Sequence, residues 1–202
     1  MSIRAVIVDF GSVLILDVDD SYRERWAARL SITRDQLTDL VFGSAVARRA
    51  SVGGATTQDI WRYVGETLGL DEPTLAQLSY EFWLGDALNA ELAGFLCSLR
   101  PRYKTAILSN AWPDMREALN QRLGLDNAVD LIVISAEERL AKPDPRIYYL
   151  TLERLGVSPE EAVFLDDRPE NVEAAQALGI HGVQFETTVQ AIAEIKAVLG
   201  EE

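Results

Sequence analysis

Short, uninterrupted apolar runs recur along this chain, and most are rich in β-branched residues. They cover residues 5–8, 105–108, 131–134 and 162–165, with a fifth candidate at 182–185. A run that is apolar at every position is typical of a strand buried on both faces. Other stretches place apolar residues at helical spacing, over 90–99, 115–123, 145–155, 171–178 and 189–199. This alternation of strand and helix predicts an α/β fold built on a parallel sheet.

The stretch from residue 21 to residue 85 follows the helical period alone and contains no clear strand pattern. Its helical segments cover 21–30, 34–49, 56–68 and 73–84. We therefore predict a Rossmann-like parallel-sheet core, formed by residues 1–16 and 88–202. A small α-helical bundle, residues 17–87, is predicted as an insertion after the first strand.

Polar side chains stand at or near the C-terminal ends of four predicted strands. They are Asp9, Ser109, Lys142 and the adjacent pair Asp166 and Asp167. Because the carboxyl ends of parallel strands meet at one edge of a sheet, we expect these residues to converge in one crevice. There a carboxylate could attack phosphorus, a carboxylate pair could bind Mg²⁺, and a lysine and a hydroxyl could bind phosphoryl oxygens. The pattern indicates phosphate chemistry.

Composition narrows the class of partner. The 202 residues include 19 basic and 32 acidic side chains, a net charge of −13, which argues against a nucleic-acid partner. No apolar run approaches the roughly 20 residues that span a bilayer, and the N-terminus lacks a signal-peptide pattern, so we expect a cytoplasmic protein without a membrane partner. Cys97 is the only cysteine and His181 the only histidine, which excludes an internal disulfide and a multi-histidine metal site.

Four motifs carry a resemblance to a known family. They read VDFGSVL at 8–14, ILSNAW at 107–112, AKPDPRIY at 141–148 and FLDDRPENVEAA at 164–175. In this order they resemble the four motifs of haloacid dehalogenase-superfamily hydrolases, over nearly the whole chain. The resemblance implies the same fold, with the helical insert acting as a cap that closes over the site and recognises the leaving group.

The resemblance also assigns roles. It implies that Asp9 is the nucleophile and forms an aspartyl-phosphate, with Lys142 as its catalytic partner. It implies Mg²⁺ bound by the Asp9 carboxylate, the backbone carbonyl of Gly11 and the acidic residues of the last motif. Asp167 is the first choice there, while Asp166 and Asn171 would act directly or through water.

The phosphoryl group would contact Ser109, Asn110 and Lys142, also by resemblance. Trp112, directly after this motif, either lines the mouth of the site or packs into the core. The implied partner is a small phosphorylated substrate, and the protein is expected to be a monomer or a homodimer.

One position departs from the pattern of phosphate-ester hydrolases in this family. They usually carry a second Asp two residues after the nucleophile, as general acid and then base, where this chain has Gly11. Without a proton donor, expulsion of an alkoxide is slowed, since general acid–base catalysis contributes about 10²–10⁴-fold. A replacement acid could come from Asp17, Asp19 or Asp20.

Three functions remain open. The first is a Mg²⁺-dependent phosphatase for a substrate with a good leaving group, such as a sugar 1-phosphate; a DxGxV subset with small helical caps resembles this chain closely. The second is a 2-haloacid dehalogenase that uses the same Asp9. The third is a catalytically weak member that binds sugar phosphates or other proteins. The phosphatase is favoured because the paired aspartates beside Asp9 require a cation to relieve their repulsion.

Overall fold

Five parallel strands form the centre of the molecule in the computed structural model, which describes residues 2–118 and 129–201. The strands are β1 (Ala5–Val8), β4 (Lys104–Ser109), β5 (Leu131–Ile134), β6 (Ala162–Asp166) and β7 (His181–Gln184). Their order across the sheet is β5-β4-β1-β6-β7. The predicted α/β, Rossmann-like fold is therefore confirmed, with the last strand displaced by one residue from its predicted position.

Helices cover both faces of this sheet, and this explains why its strands are apolar throughout. Val6 and Val8 belong to a core cluster shared with α6 and α11, whereas Ala5 and Ile7 belong to a second cluster shared with α9 and α10. These helices are α6 (Ala90–Leu99), α9 (Pro145–Leu155), α10 (Pro169–Ala177) and α11 (Thr188–Leu199). Among the described residues, none of the helices is long and apolar enough to cross a membrane.

Two short helices follow β4 and β5. They are α7 (Met115–Ala118) and α8 (Ser135–Glu138). The predicted helix 115–123 coincides with α7 over its first four residues, and its remainder lies outside the described residues.

Five further helices form a helical unit with its own core. They are α1 (Ser21–Arg29), α2 (Arg34–Phe42), α3 (Ala45–Ala50), α4 (Thr57–Leu68) and α5 (Glu72–Glu81). The pattern predicted at 34–49 is in fact two helices, because the Ser44 hydroxyl accepts a hydrogen bond from the amide of Ala47 and caps a new helix. Buried Trp26 and Trp61 belong to the core of this unit.

Two three-residue strands connect the helical unit to the sheet. Strands β2 (Ile15–Asp17) and β3 (Asp86–Leu88) pair antiparallel, with Asp17 opposite Asp86. The guanidinium of buried Arg23 lies between these two carboxylates, 2.5 Å from Asp86 and in contact with Asp17. Strands this short carry too few residues for a periodic pattern, and sequence analysis missed both.

Candidate active site

The register of the sheet brings the ends of three strands to one point. Val8, the last residue of β1, pairs with Ile107 on one side and Leu165 on the other. The amide of Asp9 continues this pairing and donates to the Leu165 carbonyl at 2.8 Å. As a result, carboxylate oxygens of Asp9, Asp166 and Asp167 lie within 4.8 Å of one another.

Lys142 provides the positive charge at this point. Its Nζ lies 2.7 Å from Oδ1 of Asp9 and 2.6 Å from Oδ2 of Asp166. The same ammonium donates to the carbonyl of Leu108 at 2.9 Å, so three acceptors surround its three protons. With its side chain 1% exposed, Lys142 is held rigidly by these contacts.

Asp166 is fully buried, and protein donors saturate its carboxylate. Oδ1 accepts from the amide of Arg168 at 2.9 Å and from the side-chain amide of Asn171 at 3.0 Å. Oδ2 accepts from Lys142 at 2.6 Å and from Asn171 at 3.1 Å. Asp166 therefore orients Lys142, whereas Asp167, only half-buried, is the more accessible of the pair.

Burial shapes the ionisation of the other two acids. Burial raises the pKa of Asp9 to about 6, although the ammonium of Lys142 opposes the shift, and the charge of Asp166 adds to it. The pKa of Asp167 is raised by burial and then by the charge of Asp166. The charges of Arg168 and Lys142 oppose that rise in pKa, but when all three carboxylates are ionised their charge exceeds that of the buried Lys142 ammonium, and the excess attracts a divalent cation.

The predicted substrate-binding residues Ser109 and Asn110 lie at the end of β4 and directly after it. Ser109 is buried at the end of β4, the strand that adjoins β1 in the sheet. The Asn110 side chain instead clasps the backbone of Lys142: its Nδ2 donates to the carbonyl at 2.8 Å, and its Oδ1 accepts from the amide at 2.9 Å. Both polar atoms of Asn110 are thus used to hold Lys142, and its side chain contributes to the site through that lysine.

Sequence analysis missed Ser135, the first residue after β5. Its hydroxyl accepts from the amide of Ala111 at 3.0 Å and donates to the carbonyl of the same residue at 3.2 Å. Fully buried, Ser135 fixes the segment that follows Ser109 and Asn110. The sequence carries a signal for it, since Ser135 is a polar residue at the end of an apolar run, but the prediction assigns Lys142 to that strand.

The three candidates for a replacement acid are held elsewhere. Asp17 forms ion pairs with Arg23 and Arg34, the second at 2.8 Å. Asp20 also pairs with Arg34, at 2.9 Å. Asp19 accepts from Ser21, and this hydrogen bond lowers its pKa.

Position 11 itself is open. Gly11 is exposed, and a Cβ built on it would meet no described atom within 4 Å. Its backbone does not adopt a left-handed φ, so a side chain could be accommodated there.

The sequence is similar to those of a phosphatase and a dehalogenase. The chain is 40% identical over 84 residues to a phosphorylated carbohydrates phosphatase from Thermotoga maritima, covering 41% of this chain and 38% of the relative. It is 34% identical over 129 residues to an (S)-2-haloacid dehalogenase from Xanthobacter autotrophicus, covering 60% and 51%. The chain thus spans about half or less of the length of these curated relatives.

A solved structure shares the fold. The HAD-family enzyme from Bacteroides thetaiotaomicron, crystallised with magnesium and inorganic phosphate, superposes with a TM-score of 0.76 at 20% identity, covering 93% of this chain and 96% of that one. Residues 3–179 match the model of the hydrolase family described as haloacid dehalogenase-like hydrolase. With most of its length in that match, the chain belongs to the haloacid dehalogenase-like hydrolases.

Proposed function

We propose that this protein is a Mg²⁺-dependent phosphatase that hydrolyses a small phosphorylated metabolite through an aspartyl-phosphate on Asp9. One observation carries the proposal: oxygens of Asp9, Asp166 and Asp167 lie within 4.8 Å of one another, and the ammonium of Lys142 contacts the first two. A phosphate dianion would meet net negative charge at such a site. A divalent cation would remove that repulsion, and the all-oxygen donor set suits Mg²⁺.

The residues present fit such a metal. Asp9 and Asp167 would hold it together with the carbonyl of Gly11. Asp166 would serve as an orienting group, because Lys142 and Asn171 already occupy its oxygens. Once bound, Mg²⁺ would neutralise charge on the carboxylates and on the phosphoryl oxygens.

Asp9 would then act as the nucleophile. One of its carboxylate oxygens forms a bond to phosphorus as the bond to the leaving oxygen breaks, and the leaving group departs with that electron pair. Lys142 stabilises both the attacking carboxylate and the charge of the transferring group. Water then attacks the phosphorus of the aspartyl-phosphate: the bond to the Asp9 oxygen breaks, the carboxylate is regenerated, and the protons of the water leave with inorganic phosphate.

The substrate class follows from Gly11 and its surroundings. No acid stands at position 11, and Asp17, Asp19 and Asp20 are held in ion pairs or by a backbone amide. A general acid must carry a proton to the leaving group, whereas the carboxylates of Asp17 and Asp20 are engaged by Arg34, and hydrogen bonds to Ser21 lower the pKa of Asp19. We therefore propose substrates whose leaving group departs without a proton, such as sugar 1-phosphates or acyl phosphates.

The helical unit is proposed to act as the cap over this site. It follows β1 and the short strand β2 in sequence, and closure of such a unit would exclude water from the phosphoryl-transfer step. The similarity to a phosphorylated carbohydrates phosphatase supports a sugar phosphate as the first class to test.

A 2-haloacid dehalogenase is the second candidate, favoured by Gly11 and by the similarity to a haloacid dehalogenase. In that reaction Asp9 attacks carbon rather than phosphorus and displaces halide. A second acid and a metal are then not needed, which leaves the half-buried carboxylate of Asp167 beside Asp9 without a purpose.

A substrate screen separates the two. Purified protein should be assayed for phosphate release from sugar 1-phosphates, acyl phosphates and alkyl phosphates, and for halide release from 2-haloacids, each with Mg²⁺ and with EDTA. We expect phosphate release that requires Mg²⁺ and is fastest for activated phosphates. Halide release that persists in EDTA would overturn the proposal in favour of the dehalogenase. If the protein released neither phosphate nor halide, the proposal would be overturned in favour of a binding function.

A further inference from the structure

Trp112 follows a strand of the sheet in sequence, but its side chain packs into the core of the helical unit. It follows Ser109, the end of β4, by three residues, and is buried at 7% exposure. Every other buried member of its hydrophobic cluster that the structure describes lies between residues 26 and 82. The indole stacks on Phe42 with ring centres 5.6 Å apart and meets the edge of Trp83 at 6.0 Å.

The segment that carries Trp112 is also the segment that builds the active site. Asn110, two residues earlier, makes two hydrogen bonds to the backbone of Lys142. Ala111, directly before Trp112, makes two with Ser135. Displacement of the indole would therefore pull on four hydrogen bonds that position Lys142 and the end of β4.

Two further contacts join the helical unit to the segments that follow β4 and β5. Thr57, at the start of α4, donates its hydroxyl to the carboxylate of Asp114 at 2.5 Å. The backbone of Gly53, whose φ is 71°, lies so close to Ala136 that a Cβ added to the glycine would be 2.5 Å from the carbonyl oxygen of Ala136. Ala136 is the neighbour of Ser135, so both contacts fall on the segments that hold the site together.

We infer that Trp112 is a positioning residue that couples the seating of the helical unit to the geometry of Lys142 and Ser109. When the helical unit is seated, the aromatic cluster holds Trp112 in place. The two hydrogen bonds between Asn110 and Lys142 and the two between Ala111 and Ser135 then keep their geometry. When it lifts, the indole loses its partners and the segment 109–112 is free to relax. This inference rests on the proposed function only for its effect on catalysis, since the coupling itself is a property of the fold.

Substrate affinity should depend on the fraction of molecules in which the helical unit is seated. If only those molecules bind substrate, the apparent affinity falls in proportion to that fraction. Small displacements of catalytic groups are also costly, and a shift of about 1 Å can reduce the rate about 10²-fold. Trp112 would thus control both KM and kcat without touching the reacting atoms.

The test compares Trp112→Ala with Trp112→Phe and with Trp61→Ala as the matched control. Trp61 lies in the same cluster, 9% exposed and edge-on to Phe82 at 5.6 Å, but among the described ring pairs it has no contact with Trp112. Phe42→Ala removes the stacking partner from the other side, and its exposure of 45% makes that variant the less disruptive one.

Hydrogen exchange of the amides of Ala111 and Lys142 is the direct readout, measured without substrate. We expect faster exchange at both amides in Trp112→Ala and Phe42→Ala, protection recovered in Trp112→Phe, and no change in Trp61→Ala. On an activated phosphate with Mg²⁺, kcat/KM should fall by up to about 10²-fold in Trp112→Ala and much less in Trp61→Ala.

The outcomes distinguish the two claims. Equal exchange at Ala111 and Lys142 in all variants, or equal loss in Trp61→Ala and Trp112→Ala, would overturn the coupling. Should Trp112→Ala fail to fold, Phe42→Ala and Trp112→Phe decide the question by the same readout. A wild-type protein that releases no phosphate would contradict the proposed function, and hydrogen exchange would still decide the coupling.

Discussion

Oδ2 of Asp166 lies 2.6 Å from Nζ of Lys142, and the two side chains are 0% and 1% exposed. A charged pair removed from water to this degree is stabilising only while both partners remain. Asp166 therefore fixes the ammonium that also contacts Asp9, and the roles of the two adjacent aspartates differ. Asp166 holds the lysine, and Asp167 is the one available to a metal.

Lys142→Met should destabilise the metal-free protein by about 3–5 kcal/mol, because buried carboxylates at Asp9 and Asp166 would lose their counter-charge. Urea unfolding in EDTA measures this change. Arg154→Met is the control: Arg154 is 42% exposed and pairs with Glu138 at the surface, so its loss should cost less than about 1 kcal/mol. Equal costs for the two variants would contradict a tightly coupled buried centre.

Asp167→Asn should abolish stabilisation by Mg²⁺ while leaving the metal-free protein at least as stable as wild type. The reason is that burial and the charge of Asp166 raise the pKa of Asp167, so its ionised form is strained when no cation is present. Wild type should gain about 2.7 kcal/mol when free Mg²⁺ is 100 times its Kd. Thermal unfolding with Mg²⁺ or EDTA measures both effects.

Asp166→Asn provides the contrast to that variant. It should lower the stability of the metal-free protein, since the partner of Lys142 loses its charge. It should also retain part of the response to Mg²⁺. If Asp166→Asn lost the whole response and Asp167→Asn none, the assignment of the two residues would be reversed.

Asp9→Asn should reduce phosphate release by at least about 10⁴-fold, as expected for removal of a nucleophile. Burial raises the pKa of the Asp9 carboxylate, so its neutral replacement should fold with an unchanged or higher Tm. Steady-state kinetics and thermal unfolding together test this. Full activity in the variant would show that another group attacks phosphorus.

Gly11→Asp should accelerate the hydrolysis of poor substrates selectively. The position is open and not left-handed, so an acid can be placed two residues after the nucleophile without a backbone change. We expect a gain of about 10²-fold for alkyl phosphates and little change for acyl phosphates, which need no proton to leave. The measurement is kcat/KM against the pKa of the leaving group, whose slope should become shallower; Gly11→Asn is the control without a proton to give.

Ser135→Ala should cost about 1–3 kcal/mol, because the buried amide and carbonyl of Ala111 would both lose their partner. It should also lower kcat, since Ala111 follows the residues that position Lys142. Ser98→Ala is the control, as the Ser98 hydroxyl is exposed and donates to Phe95 at a helix surface. A loss of stability without any change in kcat would show that Ser135 is structural only.

Much of the fold could be predicted because its signals are local. The run at 131–134 and the helix at 145–155 appear in the structure with the predicted bounds. Both follow from short-range rules: apolar residues at every position for a strand buried on both faces, and a helix that begins at Pro145 and ends at Gly156, whose φ is 69°. The convergence of Asp9 and Asp166 followed as well, since parallel strands end at one edge of the sheet.

What only the tertiary structure decided depends on partners far apart in the chain. Asn110 and Lys142 are 32 residues apart, and Ala111 and Ser135 are 24 apart. Whether an asparagine binds substrate or clasps a lysine depends on which polar atoms lie within hydrogen-bond distance after packing, and no local pattern encodes that. The same holds for Trp112, which the sequence left between the mouth of the site and the core. The sequence by itself determined that the strand ends carrying Asp9, Ser109 and Asp166 meet at one edge of the sheet, and three-dimensional packing determined which groups each side chain contacts there, because hydrogen bonds depend on distances that only the folded chain sets.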